Sequence, residues 1–127
     1  MYYADDALFA ALKMAELLSA RGVKLSELVD KMPRYESKKM EVEIDEKMKF
    51  RVIDVLRGRF SEEGIRTINI DGVKVMNGDG WFIIRASNTS PSIRIVAESA
   101  GKKGLERLVS YAVDALEKAK EEARRPA

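Results

Sequence analysis

Gly80-Trp81-Phe82-Ile83-Ile84-Arg85-Ala86-Ser87-Asn88-Thr89-Ser90-Pro91-Ser92-Ile93-Arg94-Ile95-Val96-Ala97 is the stretch on which the fold turns. Two runs rich in aromatic and β-branched residues, Trp81–Arg85 and Ser92–Ala97, flank a short polar segment that closes on a proline. Such runs favour a pleated, half-buried surface, and Ile93, Ile95 and Ala97 recur with the period of a strand. A strand, a polar loop and a returning strand are therefore predicted. Just upstream, Thr67-Ile68-Asn69-Ile70 and Val73-Lys74-Val75 alternate on either side of Asp71-Gly72. That dipeptide favours a two-residue hairpin turn. Asn77-Gly78-Asp79-Gly80 supplies another turn, so the middle of the chain reads as an antiparallel meander.

Helical patterns flank the meander. From about Asp45 to Phe60, Met48, Val52, Ile53, Leu56 and Phe60 fall on one helical face. A short strand around Met40 to Ile44 precedes them. From about Lys103 to Ala123, Leu105, Leu108, Val109, Ala112 and Leu116 form a second stripe. Residues 35–127 are thus expected to form an α+β domain, an antiparallel sheet of about four to five strands with two helices on one face. Residues 1–34 read differently. Asp5 and Asp6 precede a helix bearing Leu8, Phe9, Leu12, Leu17 and Leu18, and Gly22 follows its end. A second short helix carries Leu25, Leu28, Val29 and Met32, and Pro33 stops it. A helical hairpin of this size cannot cover its own apolar stripe. Self-association through residues 5–20 is expected.

Composition narrows the chemistry. The 127 residues suffice for one real core. Lys and Arg total 23 against 21 acidic residues, a net charge of +2 with both signs interleaved, which argues against a nucleic-acid module. With no Cys and no His, the chain offers no disulfide, thiolate or imidazole metal site, and no Ser-His pair. Gln is absent and Glu, Lys and Arg abound, a bias shared with proteins from hot environments. No apolar run approaches the ~20 residues needed to span a bilayer, and Met1 to Asp6 brings carboxylates where a signal peptide needs positive charge. A cytoplasmic location is the default expectation, without membrane or nucleic-acid partners.

The loop Arg85-Ala86-Ser87-Asn88-Thr89-Ser90-Pro91 is dense in donors that seek an anion. Arginine offers a planar fork for two phosphate oxygens. Hydroxyls and an amide add neutral donors, and a tight turn directs backbone N–H groups inward as a nest. The same Ser-Asn-Thr-Ser-Pro run is also ordinary hairpin punctuation, and residue chemistry alone leaves both readings open.

The run from Gly80 to Ile95 resembles the final-domain signature of the α-D-phosphohexomutases. There an apolar strand ends in Arg, any residue, Ser, Gly or Asn, Thr, any residue, Pro, and the next strand runs apolar-Arg-apolar. Asp5-Asp6-Ala7-Leu8-Phe9-Ala10-Ala11-Leu12 resembles the last long helix of the family's third domain, and Leu25-Ser26-Glu27-Leu28 with Pro33 the connection to the fourth. The resemblance implies a TATA-binding-protein-like sandwich over residues 35–127, with residues 1–34 as the end of the third domain. It implies a four-domain enzyme interconverting hexose 1-phosphates and 6-phosphates through a phosphoserine in its first domain, with Mg²⁺ held in its second. In that scheme the fourth domain clamps the phosphate that is not reacting. Arg85, Ser87, Asn88 and Thr89 become its expected ligands, with Arg94 in support. No catalytic or metal-binding residue is expected within this chain, which on its own should be inactive. Ala86, Asn88 and Ser90 stand where many members have Pro, Gly and Glu. The Arg-Ala-Ser-Asn-Thr form is closer to phosphomannomutase/phosphoglucomutase members than to phosphoglucosamine mutases, a tilt toward mannose and glucose phosphates.

Other residues have plainer readings. Trp81 beside Phe82 is expected to pack in the core or on the sheet face rather than stack on a sugar. Tyr2 and Tyr3 are expected to pack on the rest of a third domain, Lys102 and Lys103 to be solvated, and Glu121 to Arg125 to fray. A small nucleic-acid-binding module or a scaffold domain is the alternative class. An open sheet face of that kind would alternate aromatic with basic residues, whereas the meander shows Thr67, Asn69 and Lys74.

Overall fold

A computed structural model describes residues 5–125, which fall into two compact units divided between Arg34 and Tyr35. In the first, α1 (Ala7–Arg21) starts at Asp6, whose carboxylate accepts the Phe9 N–H at 2.8 Å. It ends at Gly22, in the left-handed conformation at φ 60°. A short α2 (Leu25–Val29) follows. α1 lies where the sequence places it, whereas α2 ends at Val29, short of Met32 and Pro33, and neither helix contains a buried residue. Leu8 and Leu12 are 73% and 62% exposed. The positions of Tyr2 and Tyr3 lie outside the described residues.

The second unit holds β1 (Glu36–Glu43), α3 (Lys49–Glu62), β2 (Thr67–Ile68), β3 (Val73–Asn77), β4 (Gly80–Ala86), β5 (Ser92–Ser99) and α4 (Lys102–Ala123). The five strands pair antiparallel in the order β1-β5-β4-β3-β2, so the meander runs from one edge and β1 closes the other beside β5. Both helices pack on one sheet face, as expected. Phe82, Ile84, Ile93 and Ile95 project into the core against Val52, Leu56 and Phe60 of α3 and Leu108, Ala112 and Leu116 of α4. Phe60, Phe82 and Tyr111 form an aromatic cluster with centroids 5.7–6.4 Å apart. No described helix is long and apolar enough to cross a membrane.

Several local expectations are corrected. β1 spans Glu36–Glu43 rather than 40–44, because all eight of its residues find partners on β5. α3 begins at Lys49, not Asp45. Residues 45–48 form a turn in which Asp45 Oδ1 accepts the Lys47 N–H at 2.8 Å and the Asp45 carbonyl accepts from Met48. Asp71-Gly72 is not a two-residue hairpin. Ile68 pairs with Lys74 and Thr67 with Val75, one position away from the register such a turn would impose. Val73 and Val75 are drawn into the core, while Ile70 is left 87% exposed in the connection. Gly72, at φ 136°, instead lets the chain pass against the backbone of Ile84 and Arg85, where a Cβ would not fit. The end of α4 is also tied down. Ala123 is buried, and Arg51 Nη2 donates to the Arg125 carbonyl at 2.8 Å. Trp81 lies on the sheet face away from the helices. Its Nε1 donates to Glu98 Oε1 at 3.1 Å, and the Lys74 ammonium stands 4.1 Å from its ring centroid.

Candidate phosphate-binding site

Residues 87–91 join β4 to β5 at one end of the sheet. The Ser87 N–H donates to the Ser92 carbonyl at 2.9 Å, closing the neck of the loop, and the Ser92 N–H donates to the Ser90 carbonyl at 2.8 Å. Among the described residues, the N–H groups of Asn88, Thr89 and Ser90 have no hydrogen-bond partner. Consecutive free amides are donors open to an anion.

Arg85 is the last arginine of β4, on the sheet face opposite the helices. Its side chain is 43% exposed, and Nη1 is 3.9 Å from Asp71 Oδ2, a contact too long to occupy the guanidinium fork. Asn88 and Thr89 are exposed at the loop tip. Arg85 and Asn88 share a hollow of about 230 Å³ with Arg57, Asp71 and Gly72. Thr89 does not line that hollow. Ser87 is placed differently, for it is only 3% exposed and its Oγ lies 2.8 Å from Ser90 Oγ, inside the loop.

Arg94 faces Arg85 across the β4–β5 ladder. Like charges directly opposite on a sheet repel unless neighbours compensate. Here Glu41 of β1 does so for Arg94, with Nε 3.5 Å from Oε1. The same carboxylate oxygen accepts from Ser92 Oγ at 2.5 Å and lies 3.1 Å from Ser90 Oγ. Hydrogen bonds from Ser92 and then Ser90, reinforced by the Arg94 charge, hold its pKa below the ordinary 4.5 against an opposing desolvation. Arg94 thus supports the loop through Glu41, and together with Arg85, Lys39 and Val96 it borders a second hollow of about 440 Å³.

Three participants escaped the sequence reading. Glu41 lies in the short strand expected around Met40 to Ile44 and carried no mark of its own. Arg57 carried no mark beyond its helical position, but its Nε is buried without a hydrogen-bond partner and it lines the hollow of Arg85 and Asn88. Lys49, at the start of α3, is 2% exposed, and its ammonium donates to the Ser87 carbonyl at 2.7 Å and the Ser90 carbonyl at 3.3 Å. A lysine in an amphipathic pattern gives no warning of burial.

Among the described residues no group of three or more carboxylates gathers to hold an ion, and Asp79 is engaged with Arg107, whose Nε donates to Oδ2 at 2.8 Å. That pairing holds the Asp79 pKa low and ties the β3–β4 turn to α4.

Residues 24–115 match the family model described as phosphoglucomutase/phosphomannomutase, C-terminal domain. The chain belongs to the phosphoglucomutase/phosphomannomutase family. It is 35% identical over 117 residues to a probable phosphoglucosamine mutase of Methanococcoides burtonii, covering 92% of this chain and 26% of that protein. It is 30% identical over 114 residues to a phosphoglucomutase/phosphomannomutase of Thermococcus kodakarensis, covering 90% and 25%. A crystal structure of a phosphoglucomutase/phosphomannomutase family protein from Burkholderia thailandensis superposes with a TM-score of 0.76 at 30% identity, over 94% of this chain and 25% of that one. The chain therefore spans about a quarter of the length of these relatives and contains the family's C-terminal domain. The five-stranded sheet with its two covering helices is that domain's fold.

Proposed function

We propose that the 87–91 loop and Arg85 clamp the phosphate of a hexose phosphate that is not reacting, within a longer mutase that interconverts 1-phosphates and 6-phosphates. The observation that carries this is the row of free N–H groups at Asn88, Thr89 and Ser90 beside an uncommitted Arg85 fork. Neutral amides and a guanidinium together satisfy several oxygens of one anion without a metal. In this reading the phosphoryl donor and the Mg²⁺ ligands belong to other domains, residues 1–34 close a third domain, and this chain alone is inactive. The Asn88 form of the loop favours mannose and glucose phosphates. The Methanococcoides relative's name favours glucosamine phosphate as a second reading. In the longer protein the Leu8, Phe9, Leu12 and Leu17 face of α1, exposed within its own unit, packs on the rest of the third domain, and in this chain alone it pairs with a second copy.

The test is a titration of the isotope-labelled chain, followed through its amide signals, with glucose, mannose and glucosamine 6-phosphates and with a short oligonucleotide. Shifts confined to residues 85–90 and produced by the sugar phosphates are expected. Arg85→Lys keeps the charge but loses the fork. It should weaken binding by about one to two decades, the equivalent of a charge-assisted hydrogen bond of roughly 1.5–3 kcal/mol. An unchanged affinity removes Arg85 from the site, and a stronger response to the oligonucleotide overturns the phosphate reading.

A further inference from the structure

Lys49 occupies a place that lysines avoid. It is buried in the first turn of α3, the helix end at which a cation is least favoured. A buried ammonium is costly unless every proton finds an acceptor. This one finds three. Glu46 supplies a carboxylate oxygen at 2.6 Å, and the other two acceptors are the carbonyls of Ser87 at 2.7 Å and Ser90 at 3.3 Å. The Phe50 ring, 5.2 Å from the ammonium, adds a favourable face. An apolar side chain of similar length would fill the space without this demand, so packing alone gives no reason for a lysine.

The geometry of the peptide group connects this grip to the loop's outer surface. In a trans peptide the C=O of one residue and the N–H of the next point in opposite directions. Because the Ser87 carbonyl points inward to Lys49, the Asn88 N–H must point away from the buried ammonium. A positive charge on that carbonyl also polarises the amide and strengthens its N–H as a donor. The Ser90 carbonyl precedes Pro91, which has no N–H, so this second contact fixes the far shoulder of the loop without consuming a donor.

We propose that Lys49 is a positioning residue: it holds the Ser87–Asn88 peptide with its N–H turned outward and keeps the loop preformed for a phosphate. This rests on the phosphate-clamp reading above, and it adds a residue that would never touch the ligand. Preorganisation of this kind raises affinity because the ordering cost is met before binding.

The experiment compares wild type with Lys49→Met, Lys49→Gln and Glu46→Gln in the full chain, using inorganic phosphate and glucose 6-phosphate as probes. Amide signals and melting temperature are recorded. Lys49→Met is expected to displace the ligand-free Asn88 amide signal and weaken both probes about tenfold or more, while signals of core residues such as Leu56 and Phe82 stay in place. Lys49→Gln, which keeps a neutral donor, should fall between. Glu46→Gln removes the one charged acceptor of the ammonium but spares both carbonyl contacts, and should weaken both probes less than Lys49→Met. If Lys49→Met does not fold, Lys49→Gln decides on the same readings. Wild-type affinity together with an unmoved Asn88 signal in the folded Lys49 variants overturns the proposal. Wild type that responds to neither probe instead overturns the phosphate-clamp reading, and an unmoved Asn88 signal in the variants would then overturn the positioning role on its own.

Discussion

α1 has a carboxylate cap at Asp6 and a left-handed glycine at Gly22, yet buries no residue along its fifteen-residue length. α4 starts at Gly101 with no side-chain cap and carries Lys102 and Lys103 in its unfavourable first turn, yet buries Leu108, Ala112, Leu116 and four other residues. The difference separates two levels of helix specification. Capping decides where a helix begins and ends, contributing about 1 kcal/mol. Tertiary burial decides how strongly it is held, since each fully buried large aliphatic side chain contributes roughly 1.5–3 kcal/mol. α1 is capped at both ends and lacks a partner surface within its unit. α4 has no side-chain cap and is fixed by the sheet.

The comparison breaks most visibly at a core aromatic. Phe82→Ala removes the ring that meets both Phe60 and Tyr111 and should cost about 3–5 kcal/mol in denaturant unfolding of the second unit. Leu12→Ala in α1 should change that transition by less than about 0.5 kcal/mol. A comparable loss from both would mean that α1 is held by burial after all. Next in size, Asp6→Ala should lower the local opening free energy of α1 by about 1 kcal/mol, read from amide exchange at Phe9 and its neighbours, and leave α4 unchanged. Leu12→Asp has a smaller effect on folding. It should nonetheless abolish concentration-dependent association in sedimentation, and a wild type that stays monomeric at high concentration would remove the second copy from the α1 face.

The smallest expected effect concerns Glu41. Its folded pKa lies below the ordinary 4.5, so its contribution to stability is fully present above the unfolded value and is lost as pH falls through the folded one. Carboxyl resonances should show Glu41 titrating below 4.5, with the Ser90 and Ser92 tie loosening only in that acidic window. Ser92→Ala removes the largest cause and should move the titration back up. An unmoved titration would show that the Arg94 charge, rather than the hydroxyls, holds the carboxylate.

Much of the second unit was legible because period-2 and period-3.6 patterns are one-dimensional records of a buried face. The Phe82–Ile84 and Ile93–Ile95 alternations located β4 and β5, and the stripes through Leu56 and Leu108 located α3 and α4 on one side of the sheet. Where the pattern failed, two local signals competed. Asp71-Gly72 asked for a tight turn, and burial of Val73 and Val75 with the close passage of Gly72 beside β4 asked for a different register; burial won.

The sequence by itself determined the elements, their antiparallel succession, the family signature and the loop that carries Arg85 and Asn88, because each is a local or periodic property of side chains. Only the tertiary structure decided that Ser87 turns its hydroxyl inward to Ser90, and that Glu41 and Lys49 hold the loop through its hydroxyls and its carbonyls. The Glu41 and Lys49 contacts join residues 38 to 51 positions apart, and the direction of a carbonyl or an ammonium leaves no trace in residue type.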